Sequence, residues 1–147
     1  MEPKQTIKFF RYDSPEYKLA LELRTKVLRI PLGLNFTDAE LRKDVTDIHF
    51  GLFEGTGIIA CLTLSSAGKG RVKMRQVAVA NNVQGKGLGK ALSAAAERFA
   101  KERGFKSIFC HARKTAVPFY EKLGYKITGD EFTEVNIPHY SMEKRLE

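Results

Sequence analysis

Between Arg75 and Gly104 the chain reads RQVAVANNVQGKGLGKALSAAAERFAKERG, and no other stretch restricts the fold as much. Val77, Ala78 and Val79 are small or β-branched residues in an apolar run, which suits a buried strand. Asn81 and Asn82 interrupt that run as turn formers. Gln84-Gly85-Lys86-Gly87-Leu88-Gly89 then sets three glycines at alternate positions where a helix begins. From Leu88 onward the apolar residues Leu92, Ala95, Ala96 and Phe99 recur at helical spacing. Gly104 supplies the residue that takes the left-handed conformation just past a helix end. A strand, a glycine loop and a long amphipathic helix follow one another.

Such a junction is an anion site. The first amides of a helix have no internal partners, and the helix dipole adds partial positive charge to them. Glycines remove the side chains that would keep phosphate oxygens away, and Lys86 and Lys90 add formal charge nearby. A nucleotide P-loop is excluded, because Gly89-Lys90 is followed by Ala91 and no hydroxyl is placed for magnesium. A dinucleotide fingerprint is excluded as well: Lys90 stands where its third glycine belongs, and neither an early βαβ unit nor a later acidic partner is present. What the stretch resembles is the Gln/Arg-x-x-Gly-x-Gly/Ala signature of the GNAT N-acetyltransferase family, with Val77-Ala78-Val79 matching that family's fourth strand.

A second segment, Ala116-x-x-Phe119-Tyr120-Glu121-Lys122-Leu123-Gly124-Tyr125, resembles the family's Ala-x-x-hydrophobic-Tyr-Glu-Lys-x-Gly-Phe/Tyr motif. The two motifs lie roughly 30 residues apart, as a crossover helix and one strand require. The resemblance runs from about Gly51 to the end of the chain. It implies an α+β fold with a mixed, mostly antiparallel central sheet and about four helices, strands 4 and 5 being parallel and splayed to hold CoA. It implies transfer of an acetyl group from acetyl-CoA to an amine by direct attack in a ternary complex. Carried over residue by residue, the segment Val77, Ala78 and Val79 holds the pantetheine arm. The amides of Gln84, Gly85, Lys86, Gly87, Leu88, Gly89 and Lys90 hold the pyrophosphate, and Phe119 lies beside the cofactor. Tyr120 matches the tyrosine that protonates the departing CoA sulfur. A phenol, with a reference pKa near 10, carries its proton at neutral pH. Many members have Asn seven residues before that tyrosine; here the position is Arg113, so no Asn role transfers.

The general base is not specified by either motif. His49, His111 and His139 are the chain's three histidines and its titratable candidates near neutrality. His111 ends a strand before Tyr120. His139 follows Asn136-Ile137-Pro138 in a segment resembling the Gly-Ile-Pro-His run of the ElaA-like acetyltransferase branch, whose first helix also carries a Leu-Arg-x-x-Val pattern like Leu23-Arg24-x-x-Val27. Glu134 and Asp47 are further candidates. A non-catalytic acyl-CoA-binding or regulatory module is the alternative reading, since a phosphate cradle does not require turnover.

Composition sets outer limits. With 147 residues the chain is expected to form one domain, and 43% hydrophobic with 29% charged residues is a globular composition. No apolar run approaches the ~20 residues of a membrane helix. The start Met1-Glu2-Pro3-Lys4-Gln5 has no apolar targeting core, so a cytoplasmic protein is expected. Cys61 and Cys110 form neither a disulfide framework nor a metal-ligand pattern, and no metal is expected. The net charge of +8 favours an anionic partner. The basic residues are nonetheless spread along the chain, apart from the alternating set Lys69, Arg71, Lys73 and Arg75, without a nucleic-acid-binding motif. The expected partners are therefore a small-molecule or peptide amine and, as is common in the family, a second copy of the chain, with neither nucleic acid nor membrane.

Along the chain, the pattern predicts a short strand over Ile7–Phe10. A helix follows from an Ser14 cap and Pro15 to about Arg29, and a second opens on the capping box Thr37-x-x-Glu40. A hairpin is expected through Glu54-Gly55-Thr56-Gly57, then a connection over Ser65–Gly70 and a strand over Arg71–Ala80. A strand over Ser107–His111 lies parallel to that one, because a helix makes the crossover. A helix capped by Thr115 and ended by Gly124 follows. Two final strands, Tyr125–Thr128 and His139–Lys144, are joined by Gly129 to Pro138. In the family, the region of the first two helices closes over the acceptor.

Overall fold

The structure is a computed structural model that describes residues 4–147. Its strands are β1 (Gln5–Phe10), β2 (Ile48–Glu54), β3 (Gly57–Gly68), β4 (Arg71–Val79), β5 (Ser107–Arg113), β6 (Lys126–Ile127), β7 (Phe132–Glu134) and β8 (Ile137–Arg145). Its helices are α1 (Pro15–Leu28), α2 (Asp38–Arg42), α3 (Leu88–Glu102) and α4 (Val117–Lys122). The pairing is antiparallel except between β4 and β5, giving the mixed α+β fold expected from the sequence.

Two compact units divide the chain. One comprises the chain up to Ser65 together with Gln76–Ala96, and the other Ser66–Arg75 with Glu97–Glu147. The first orders its strands β1-β2-β3-β4 and buries Phe10, Tyr17, Ala20, Leu23, Phe53, Cys61 and Ala78 as one apolar cluster. In the second the order is β4-β5-β8-β6, with β7 on β8. Val72, Met74, Ile108, Cys110, Ala112, Tyr125 and Met142 are buried there.

Local signals explain the helix ends. The Ser14 side chain accepts from the Tyr17 amide with Pro15 in the first turn, so α1 starts where its orphan donors find an acceptor. Both halves of the Thr37–Glu40 capping box form: the Glu40 amide donates to Thr37 Oγ1 at 3.2 Å and the Thr37 amide to Glu40 Oε1 at 3.0 Å. Gly104 takes φ 87° after α3 and Gly124 takes φ 95° after α4.

Three expectations need correction. Thr115 does not cap α4: it lies inside a 3-10 turn over Lys114–Ala116, and Ala116 occupies the cap without a side-chain bond. The connection over Ser65–Gly70 is mostly strand, because β3 runs to Gly68 and a two-residue turn at Lys69 and Gly70 (φ 54° and 75°) returns the chain. The small polar residues that read as a loop are held in the ladder by hydrogen bonding that composition does not report.

The third correction concerns Gly129–Pro138. It contains β7, and β8 begins at Ile137, not His139. Glu134 pairs with Ile137 across Val135 and Asn136, whose φ values of 44° and 62° follow the two-positive-φ pattern of a type I′ turn. Asn-Gly would have announced this hairpin, whereas a β-branched Val135 conceals it. The turn is strained at Val135, since branched L-residues pay about 1–2 kcal/mol in that region. Val135→Asn is therefore expected to raise stability by about 1 kcal/mol, read as a higher urea midpoint. An unchanged or lower midpoint would show that the valine carries no net strain.

Candidate active site

The glycine loop lies in the first unit. After β4 a 3-10 turn over Asn81–Val83 leads to Gln84. The Gln84 side-chain amide donates to the Val79 carbonyl at 3.0 Å and to Asn81 Oδ1 at 3.1 Å, so that side chain ties the loop to the strand end. Gly85 and Gly87 adopt φ 82° and 78°, and a Cβ built on either would meet nothing within 4 Å. Their need for glycine is therefore conformational, not steric. Gln84, Gly85, Lys86 and Gly87 are exposed, as is Lys90. The helical ladder begins with the Ala91 amide on the Gly87 carbonyl at 3.0 Å. The amides of Leu88, Gly89 and Lys90 precede it and point out of the first turn of α3. Leu88, Leu92 and Ala96 are buried beneath.

On β4, Ala78 is buried in the apolar cluster while Val77 and Val79 are half-buried on the opposite face. Just before them Gln76 adopts φ 56°, a left-handed conformation inside a strand. Such a residue costs of order 1–3 kcal/mol and persists only where its surroundings impose it, typically at functional sites. Sequence reasoning missed Gln76, because neither glycine nor asparagine marks the position.

In the second unit the parallel register of β4 and β5 runs over Arg71↔Ser107, Val72↔Ile108 and Lys73↔Phe109 and stops there. β5 keeps its antiparallel partner β8 through Arg113↔His139. Consecutive residues of β5 face opposite sides, so Cys110 and His111 diverge. Tyr120, on α4, is buried on the Cys110 side, where burial first and then Cys110 push its phenol well above the ordinary tyrosine value. Its ring meets Phe119 edge-on at 5.0 Å and Tyr125 at 5.6 Å. Phe119 itself is exposed. The Tyr125 hydroxyl donates to Glu97 at 2.9 Å, and Lys144 donates to the same carboxylate at 2.8 Å. The Tyr120 hydroxyl has no such acceptor among the described residues.

Three residues singled out separately in the sequence converge on the His111 side. His111 Nδ1 lies 3.1 Å from Glu134 Oε1, and His139 Nε2 lies 3.7 Å from Glu134 Oε2. Phe132 meets the His111 ring edge-on at 5.0 Å and stacks on His139 at 5.9 Å. His139 is 4% exposed, and its Nδ1 donates to the Ile137 carbonyl at 2.7 Å. The β7–β8 hairpin, unseen in the sequence, delivers Glu134, Phe132 and His139 together.

His49 belongs elsewhere. It is 1% exposed in the first unit, with Nε2 on the Asp44 carbonyl at 3.0 Å and Nδ1 on Thr63 Oγ1 at 2.9 Å. Burial holds its imidazole below the usual histidine range, which suits a structural neutral ring. Asp47 is buried in the same unit. Among the described residues no group of three or more His, Cys, Asp or Glu side chains could hold a metal ion, and no helix is long and apolar enough to cross a membrane.

The acetyltransferase (GNAT) domain profile matches residues 36–146. YyaT of Bacillus subtilis is 36% identical over 74 residues, covering 50% of each chain. The chain thus spans about half the length of the curated relatives it matches. A Lactobacillus plantarum protein assigned as an N-acetyltransferase superposes with a TM-score of 0.88 at 27% identity, over 97% of this chain and 99% of that one. Escherichia coli ElaA superposes with a TM-score of 0.84 at 17% identity, over 96% and 99% of the two chains, a likeness of fold.

Proposed function

Since the chain belongs to the acetyltransferase (GNAT) family, we propose that it transfers an acetyl group from acetyl-CoA to an amine by direct attack in a ternary complex. The observation that carries this reading is the exposed glycine loop opening α3, with Gly85 and Gly87 in conformations only glycine takes readily. Its amides from Gln84 to Lys90, helped by the charges of Lys86 and Lys90, would hold the pyrophosphate. Val77, Ala78 and Val79 would offer strand backbone to the pantetheine arm. Phe119 would flank the cofactor.

Tyr120 is the proposed acid. Burial raises its phenol, so the hydroxyl stays protonated across the neutral range. It would then stand ready to donate a hydrogen bond, and with it the proton, to the sulfur as negative charge develops there.

Gly87→Val forces a branched side chain onto φ 78° and should weaken acetyl-CoA binding about tenfold by calorimetry, with the helix content of the protein unchanged. Wild-type affinity in this variant would remove the loop from the cofactor site. Binding of acetyl-CoA without thiol release across a panel of amines would instead favour the acyl-CoA-binding module.

A further inference from the structure

We propose that His111 is the general base of the transfer and that Glu134 is the positioning residue that holds it in its Nδ1–H tautomer. The inference rests on the acetyltransferase reading above. A carboxylate accepts only, so the 3.1 Å contact between His111 Nδ1 and Glu134 Oε1 places the imidazole proton on Nδ1. The lone pair is then on Nε2, the nitrogen turned away from Glu134. His111 is half-buried at the point of β5 just past the end of the parallel register, with 29% of its side chain exposed. It reaches solvent where the other two histidines do not.

The same geometry separates the roles of His111 and His139. His139 is buried with Nδ1 committed to the Ile137 carbonyl, and it stacks on Phe132, which in turn meets the edge of the His111 ring. It braces the ring and lies beside the carboxylate. On the same face of β5, Arg71 packs over Phe109 at 4.2 Å and pairs with Glu143 at 2.7 Å, so that carboxylate is already engaged. Tyr120 lies against the other face of β5, with Cys110. Base and acid therefore stand on opposite faces of β5.

In that reaction the amine nitrogen lone pair forms the N–C bond to the thioester carbonyl carbon, and His111 Nε2 takes an N–H proton. The C–S bond then breaks with its electron pair on sulfur, which receives the Tyr120 proton. His111 imidazolium releases its proton to water and Tyr120 regains one from water, so the net change is amine plus acetyl-CoA to amide plus CoA thiol.

The test uses bromoacetyl-CoA, which needs no acceptor: a nucleophile beside the acyl group displaces bromide and forms a stable N–C bond. The thiols do not compete, since burial pushes Cys61 and Cys110 up to about 12. Peptide mapping is expected to place the label on His111. Glu134→Leu should slow labelling roughly tenfold, and Glu134→Gln, which keeps an acceptor oxygen, should recover most of the rate. His111→Asn should abolish labelling while CoA still binds by calorimetry, and with hydroxylamine as acceptor should lower thiol release roughly a hundredfold. A label on another residue, or none despite bound CoA, overturns the base assignment. Unchanged labelling in Glu134→Leu overturns the positioning role. Failure of the wild-type protein to bind CoA at all would count against the acetyltransferase reading itself.

Discussion

Replacing Asp44 by alanine is expected to destabilise the first unit by about 3–5 kcal/mol, among the largest effects a single substitution can have here. Asp44 is fully buried, and both the Arg24 guanidinium and the Tyr17 hydroxyl, at 2.5 Å, converge on its Oδ2. Arg24 is itself 1% exposed, and its Nε has no hydrogen-bond partner among the described residues. Its other neighbours are the faces of Tyr17 and Phe36, at 5.8 and 4.7 Å, which stabilise a cation far less than a carboxylate does. Without Asp44 a desolvated charge and a buried hydroxyl both lose their acceptor. The loss should appear as a lower urea midpoint and a fall in Tm of about 10 °C. The double change Arg24→Met with Asp44→Leu should cost much less, because no charge is then left in the interior. A loss below about 1 kcal/mol for Asp44→Ala would refute the buried-pair account.

The same cluster gives the first unit an acid limit. Burial depresses the His49 imidazole below its ordinary 6.5, so the unfolded chain binds that proton more readily than the folded one. The contribution of the neutral ring is complete above about 6.5 and is lost as the pH falls from there toward the depressed folded value.

Tyr120→Phe is expected to lower kcat about a hundredfold while leaving the KM for acetyl-CoA within about twofold, measured by thiol release. The substitution keeps the ring that packs on Phe119 and Tyr125. It removes a hydroxyl that has no acceptor among the described residues, so stability should hardly change. Tyr125→Phe is the internal contrast. Its hydroxyl is bonded to Glu97, and its loss should cost roughly 1–2 kcal/mol of stability with turnover retained. If Tyr120→Phe kept full kcat, the acid role would pass to another donor or to water.

The starts of α1 and α2 and the glycine loop were legible in the chain because their causes are local, whereas the start of α4 was not. Ser14 with Tyr17, and Thr37 with Glu40, are three residues apart. The loop's character follows from Gly85 and Gly87 meeting the first turn of α3. Hairpin β2–β3 was equally readable, since Gly55 and Gly57 bracket its turn. Hairpin β7–β8 was not, because Val135 takes a positive φ that its side chain argues against.

Local sequence therefore set the starts of α1 and α2, the main strands and the glycine entrance to α3, since each depends on neighbours within one turn of backbone. Tertiary structure alone decided which ionisable groups meet. Glu134 reaches His111 across 23 positions, and Arg24 reaches Asp44 across 20. The three histidines look alike in the chain; strand register makes His49 and His139 interior rings and leaves His111 partly exposed. Gln76 belongs with them: its backbone sits in the left-handed region inside β4, and side-chain identity gives no sign of it.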